Sequence, residues 1–191
     1  MNVTARHLCT LTGASAIVAP AIHILTDLVE WFSGGFSSTQ LWINYISFIV
    51  IPFLMIGLYA VQRPNIGLLG LVGALLYGAS FVYFAHTTLY AITENIADYE
   101  SLWERLGTTY TVHGIMMTLG GMAFGIATYR AKVFPRWTAA MFLAGIALNI
   151  SLGIVAAPDL FQTLGSAFRN MGLIAMGVYL MRGLVKEKGV T

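Results

Sequence analysis

The chain has 191 residues, of which 58% are hydrophobic and only 9% are charged. A soluble domain carries about 25% charged residues, so this composition excludes an ordinary soluble domain and indicates an integral membrane protein. The net charge of +2 gives no sign of nucleic-acid binding. Because Cys9 is the single cysteine, the chain can form neither an internal disulfide nor a thiol-based metal cluster.

Six apolar segments are about as long as the ~20 residues that a helix needs to cross the hydrocarbon core of a bilayer. We therefore predict an all-α, polytopic membrane protein that forms a single domain over residues 1–191. In chain order the predicted spans are residues 13–32, 41–61, 67–92, 107–129, 137–157 and 164–181. The first span carries Asp27 and Glu30, which is untypical of a cleavable signal peptide, so we predict a retained helix.

The basic residues predict the orientation, because Lys and Arg accumulate in cytoplasmic loops. Eight of the ten lie on one side, at the termini or after the second and fourth spans. They are Arg6, Arg63, Arg130, Lys132, Arg136, Arg182, Lys186 and Lys188. The segment 94–105, on the opposite side, is acidic. We therefore predict six spans with both termini in the cytoplasm. The even spans end alike, in a glycine followed by a basic stop, which fits three helical hairpins.

The connection between the fourth and fifth spans reads RAKVFPRWTAAMFLAG, residues 130–145. It resembles the cytoplasmic loop at the same place in several uncharacterised bacterial six-helix membrane protein families. The resemblance covers this one segment and implies a multi-pass protein of the bacterial plasma membrane, the inner membrane. Those families carry no agreed activity, so the resemblance transfers no functional residue.

Three ionisable side chains lie inside the first span. His23, Asp27 and Glu30 are spaced i, i+4, i+7, which places them on one face of a helix. Ionisable residues in membrane helices avoid lipid and face the bundle interior or a water-filled cavity. We therefore predict that this face of the first span points inward.

Polar side chains in other spans lie at a similar depth, about 9–14 Å below the predicted outer ends at a rise of about 1.5 Å per residue. Together they predict a polar cavity that opens to the outside, although separate hydrogen bonds between helices remain the alternative. The candidate catalytic residues are Asp27, Glu30 and Glu94. The candidate ligand-binding residues are Tyr90, Asn149, Arg169 and Asn170. The candidate metal ligands are His23, His86 and His113.

Four functions fit such a cavity. The first is a membrane-embedded enzyme or ligand-binding protein for a small or lipophilic substrate, with Zn²⁺ on three imidazoles or a carboxylate acting as acid and base. The second is a redox protein with haem b between His86 and His113. The third is a proton- or cation-coupled transporter, and the fourth is a non-catalytic sensor or scaffold. Membrane lipids are the expected partners, and the sequence leaves catalysis and homo-oligomerisation open.

Overall fold

A computed structural model describes residues 5–154 and 159–183 of the chain. It contains six α-helices, which confirms the all-α prediction. They are α1 (Ala5–Ser33), α2 (Ser38–Val61), α3 (Gly67–Thr93), α4 (Tyr99–Ala131), α5 (Arg136–Ile154) and α6 (Asp159–Met181). The last residues of the predicted fifth span, 155–157, lie outside the described residues.

Four of the helices in the described part of the chain are long and apolar enough to cross a membrane. These segments are His7–Ser33, Ser38–Val61, Gly67–Thr93 and Tyr99–Ala131. Large apolar side chains on them face outward, as in Phe53 and Leu68, which are 71% and 73% exposed. Such surfaces suit lipid rather than water, so the structure supports an integral membrane protein.

The helices form a closed ring in chain order. Each helix packs against its neighbours in the chain, and α6 packs against α1. The short connections make consecutive helices antiparallel. One end of the ring, here termed the acidic end, carries Glu94, Asp98, Glu100 and Glu104. The opposite, basic end carries Arg63, Arg130, Lys132 and Arg136.

Two helices that begin at the acidic end, α2 and α4, are capped by side chains. Ser37 and Gln40 form a capping box at the start of α2, in which each side chain bonds the backbone of the other residue. At the start of α4 the Asp98 carboxylate accepts a 2.8 Å hydrogen bond from the Ser101 amide. Hydrogen bonds from Ser101 hold the pKa of Asp98 below its usual value of 3.8.

α4 is interrupted at Gly107, where φ is 52° and ψ is −130°. A residue with a Cβ rarely adopts this conformation, so the glycine permits the break. The predicted fourth span began at this glycine. The structure places a further helical segment, residues 99–106, before it at the acidic end.

Aromatic side chains fill the interior between the middle of the bundle and the basic end. This aromatic layer consists of Tyr77, Phe81, Phe124 and Phe142, all at most 1% exposed. The Tyr77 ring centroid lies 5.0 Å from that of Phe81 and 5.7 Å from that of Phe142. The layer therefore joins α3, α4 and α5 into one apolar core.

Candidate functional site

A group of polar side chains lies inside the ring where α1 meets α6, in the half nearer the acidic end. The group, here termed the α1–α6 cluster, consists of His23 and Asp27 from α1 and Ser166, Arg169 and Asn170 from α6. Helical spacing places each set on one face of its helix. His23 is 6% exposed, Arg169 is 4% exposed and Asn170 is fully buried. These residues are therefore shielded from both lipid and water.

Asp27 and the Ser166 hydroxyl form the centre of the cluster. Ser166 donates a 2.6 Å hydrogen bond to Oδ2 of Asp27. Oδ1 of Asp27 lies 3.5 Å from Nε2 of His23. Ser166 Oγ also accepts from Arg169 Nη2 and from Asn170 Nδ2, both at 3.4 Å. Asp27 thus accepts from a donor on α6, and the Ser166 hydroxyl lies between its carboxylate and the Arg169 guanidinium.

The Arg169 guanidinium has weak partners for a buried cation. Nη1 lies 3.6 Å from the sulfur of Met117 on α4. The guanidinium carbon lies 6.0 Å from the Phe81 ring centroid, within range of a cation–π interaction. Nε is buried and has no acceptor in the described part of the chain. Arg169 thus reaches across the ring to α3 and α4 without meeting a carboxylate directly.

Other buried polar atoms around Arg169 also lack a hydrogen-bond partner among the described residues. They are Nδ1 of His23, Oδ1 of Asn170 and the hydroxyl of Tyr77. Buried polar atoms in native proteins almost always bind protein, ordered water or a ligand. The cluster therefore offers unused donors and acceptors to a guest molecule.

The three histidines predicted as zinc ligands do not converge. The His23 ring packs edge-on against Phe48 and Phe81, with centroids 4.8 Å and 6.0 Å away. His86 is exposed and lines an apolar groove of about 350 Å³ between α2 and α3. His113 stacks on Tyr83 at 3.6 Å.

Within residues 5–154 and 159–183, no group of three or more His, Cys, Asp or Glu side chains could hold a metal ion. The predicted three-histidine zinc site is therefore not formed. The haem hypothesis requires His86 and His113 to face each other. In the structure His86 lines the α2–α3 groove, whereas His113 lies at the contact between α3 and α4. α3 packs against both α2 and α4, so His86 on α3 can lie at the same depth as His113 on α4 and still face a different helix.

Two of the predicted carboxylates lie nearer the acidic end. Glu94 is exposed, and its Oε2 lies 3.8 Å from Nη1 of Arg105 in a surface ion pair. Such pairs contribute little, typically about 0–1 kcal/mol. Glu30 is half-buried and lies within electrostatic range of the Tyr99 and Tyr110 hydroxyls. The structure thus places Glu94 outside the α1–α6 cluster and Glu30 towards the cluster's acidic side.

The remaining predicted ligand-binding residues have packing contacts. Tyr90 packs on a small apolar group at the acidic end that includes Leu41 and Leu102. Asn149 lies against α6, since a Cβ on Gly165 would come within 2.9 Å of its Cγ. Arg169 and Asn170 are therefore the two predicted ligand-binding residues that join the cluster.

Three contributors were absent from the predicted site: Ser166, Met117 and Tyr77. Ser166 precedes Arg169 and Asn170 by three and four residues, so helical spacing alone could have identified it. Met117 and Tyr77 carry no comparable signal, because apolar and aromatic side chains at helical spacing are ordinary core residues.

The half of α4 nearest the cluster is loosely packed. No residue between Trp103 and Leu119 is fully buried, although six residues between 120 and 128 are. A Cβ added to Gly114 would meet no atom within 4 Å. α5 also has no fully buried residue from 147 to 151. Near the acidic end, α4 and α5 are therefore less buried than at the basic end, on the side of the ring where Arg169 contacts Met117.

The chain matches no protein-family model, no curated protein and no solved structure. The resemblance of residues 130–145 to bacterial six-helix families therefore stays local. Any function has to be argued from the α1–α6 cluster and its surroundings.

Proposed function

We propose that this chain is a multi-pass protein of the bacterial plasma membrane that binds a small or lipophilic molecule at the α1–α6 cluster. In this proposal all six helices span the membrane, and both termini are cytoplasmic. The acidic end then faces outside, as the distribution of basic residues favours. The closed ring supports the proposal of six spans, because α5 and α6 pack side by side between α4 and α1, the last and first of the four long apolar helices.

The observation that carries the proposal is the set of unpaired polar atoms around Arg169. A buried donor or acceptor without a partner costs about 1–3 kcal/mol. By contrast, an interhelical hydrogen bond in a membrane protein contributes about 0.6 kcal/mol on average. If the cluster served only to fasten α1 to α6, ordered water would have to satisfy these atoms. A bound molecule that supplies the missing partners removes this cost.

Acid–base catalysis on the bound molecule is a second candidate function. It is favoured by the contact of 3.5 Å between His23 and Asp27, which gives the pair a place to accept or return a proton. Nucleophilic catalysis is not favoured, because the Ser166 hydroxyl donates to a carboxylate and not to an imidazole.

Transport across the membrane has less support than binding. Phe81 of the aromatic layer packs beside the α1–α6 cluster, whereas Tyr77, Phe124 and Phe142 lie nearer the basic end, and all four side chains are buried. A charged or polar cargo would have to cross this layer. The geometry therefore favours a site reached from the acidic end or from the membrane.

The proposal is tested by analysing what the purified protein carries. Wild type, Asp27→Asn and Ser80→Ala are purified in one detergent, denatured and extracted, and the released small molecules are quantified by mass spectrometry. Ser80 is a matched control, because its buried hydroxyl donates to the Leu76 carbonyl of its own helix. We expect a molecule released in near-stoichiometric amount by wild type and Ser80→Ala, and at least tenfold less by Asp27→Asn. Identical profiles from all three proteins would contradict the proposal.

A further inference from the structure

The Arg169 guanidinium retains most of its hydrogen-bonding capacity. A guanidinium carries five N–H groups. The contacts to Met117 and Ser166 engage two of them, and the first is a weak bond to a thioether. Nε has no acceptor in the part of the chain that the structure describes. A planar acceptor with two oxygens matches such a guanidinium edge better than any other common group.

Asp27 does not fill this role. Its Oδ2 accepts from Ser166 and its Oδ1 faces His23, so both oxygens are directed away from a direct contact with the guanidinium. Asp27 and Arg169 nevertheless balance each other's charge through the bridging hydroxyl. A guest that adds no net charge can therefore occupy the free guanidinium edge at the least electrostatic cost.

An uncharged carboxylic acid adds no net charge and is planar, with one strong acceptor and one donor. Its carbonyl oxygen can accept from the free N–H groups of Arg169. Its O–H can donate to Oδ1 of Asn170, a buried acceptor that has no partner among the described residues. The Nδ2 group of the same amide donates to Ser166, as does Arg169. A phosphate group would bring at least one further negative charge into the membrane interior, where desolvation of a charge is costly.

The depth of Arg169 indicates what the acid is attached to. It lies ten residues after the first residue of α6 and twelve before the last. At about 1.5 Å per residue it is roughly 15 Å from one end of the helix and 18 Å from the other. The nearby surface of α4 exposes Ile115 and Leu119 at 55% and 58%. An apolar chain on this surface would bring its carboxyl group to Arg169 by passing between α4 and α5, the least extensive helix contact in the ring.

We infer that the α1–α6 cluster binds an amphipathic carboxylic acid, with the carboxyl group held by Arg169 and Asn170 and the apolar chain directed along α4 towards lipid. This inference rests on the proposed function and specifies the chemistry of its ligand.

The test uses three probes on the full chain in nanodiscs of phosphatidylcholine. Dodecanoic acid carries the carboxyl group and the chain, dodecanol carries the chain alone, and acetate carries the carboxyl group alone. Thermal unfolding is followed by tryptophan fluorescence, and affinity is measured with radiolabelled probe. We expect dodecanoic acid to raise the unfolding midpoint of wild type and of Ser80→Ala, and the other two probes to leave it unchanged.

Two variants of Arg169 test whether its guanidinium recognises the carboxyl group. Arg169→Gln should abolish the shift. Arg169→Lys keeps the charge but loses the planar fork, so it should bind dodecanoic acid at least tenfold more weakly with an unliganded midpoint close to wild type. If Arg169→Gln does not fold, Arg169→Lys decides the question. Equal affinity of wild type and Arg169→Lys would overturn the inference.

Other outcomes separate the inference from the proposed function. A shift with dodecanol or with acetate as large as that with dodecanoic acid would overturn the inference, because the chain or the carboxyl group alone would then suffice. If dodecanol binding is lost in Asp27→Asn and kept in Arg169→Lys, a neutral ligand uses the cluster and the proposed function stands. If no probe binds while wild type still releases a molecule that Asp27→Asn lacks, the inference is wrong and the proposed function again stands.

Discussion

The hydroxyl of Ser166 donates a 2.6 Å hydrogen bond to Oδ2 of Asp27 and so links the last helix of the ring to the first. The same oxygen of Ser166 accepts from Arg169 and Asn170. One small side chain therefore mediates between a carboxylate and a guanidinium that do not touch. This contact therefore joins α1 to α6 and assembles the α1–α6 cluster, while Gly13 and Gly177 pack the same two helices together nearer the basic end.

Ser166→Ala should destabilise the protein by about 1–2 kcal/mol, because the half-buried Asp27 carboxylate loses its shortest hydrogen bond. The matched change Ser80→Ala removes a hydroxyl that bonds within its own helix, so we expect a loss of less than about 1 kcal/mol. Both are measured by reversible unfolding in mixed micelles of mild detergent and SDS. Equal losses in the two variants would show that the link between α1 and α6 contributes nothing beyond a local bond.

Gly145→Ala should displace α6 beside the cluster. A Cβ on Gly145 would collide with the Arg169 backbone amide and come within 2.6 Å of the Gly165 carbonyl oxygen. Overpacking of this kind costs about 1–3 kcal/mol. Gly114→Ala is the control, since its Cβ would meet nothing within 4 Å and alanine favours a helix by up to about 1 kcal/mol. If the two variants had the same unfolding midpoint, α5 and α6 would not be in the close contact described.

The start of α4 should respond to acid through Asp98. Hydrogen bonds from Ser101 lower the pKa of this carboxyl below 3.8, so its contribution to the folded state is fully present above pH 3.8 and is lost as the pH falls below that value. Protection of the Ser101 amide against hydrogen exchange should follow the same curve. Asp98→Asn keeps an N-cap without a titrating group and should flatten it. An unchanged pH profile in Asp98→Asn would assign the acid response to another group.

The proposed orientation predicts the labelling of two single cysteines in a Cys9→Ser background. Glu104 and Arg136 are both exposed and lie at opposite ends of the bundle. Glu104→Cys should react with an impermeant thiol reagent in intact cells, and Arg136→Cys should react only after the cells are lysed. The reverse pattern would place the acidic end in the cytoplasm and would contradict the proposed location of the site.

The predicted helix ends agree closely with the observed ones where a glycine or a polar turn interrupts an apolar run. The predicted third span, 67–92, differs from α3 by one residue, and the second ends at Val61 as predicted. The fourth was less accurate, because α4 begins at Tyr99. Residues 99–106 mix charged and aromatic side chains, so hydropathy alone treats this amphipathic segment as a loop.

The candidate site was predicted in part. The i, i+4 spacing of His23 and Asp27 correctly indicated one inward face, and Arg169 and Asn170 joined it from α6. His86 and His113 did not join it, because a position's depth says nothing about which neighbouring helix its face meets. Which neighbouring helix a side chain faces depends on the rotation of its own helix about the helix axis. Close packing, such as that of Gly145 against α6, sets this rotation.

The aromatic layer separates two groups of buried polar side chains. Tyr77, Phe124 and Phe142 fill the interior on the basic side of the α1–α6 cluster, and beyond them Gln62 donates a hydrogen bond to Thr128. In the proposed function, a bound molecule would therefore enter and leave from the acidic end or from the bilayer. Its occupancy would then follow the concentration of that molecule in the outer part of the membrane.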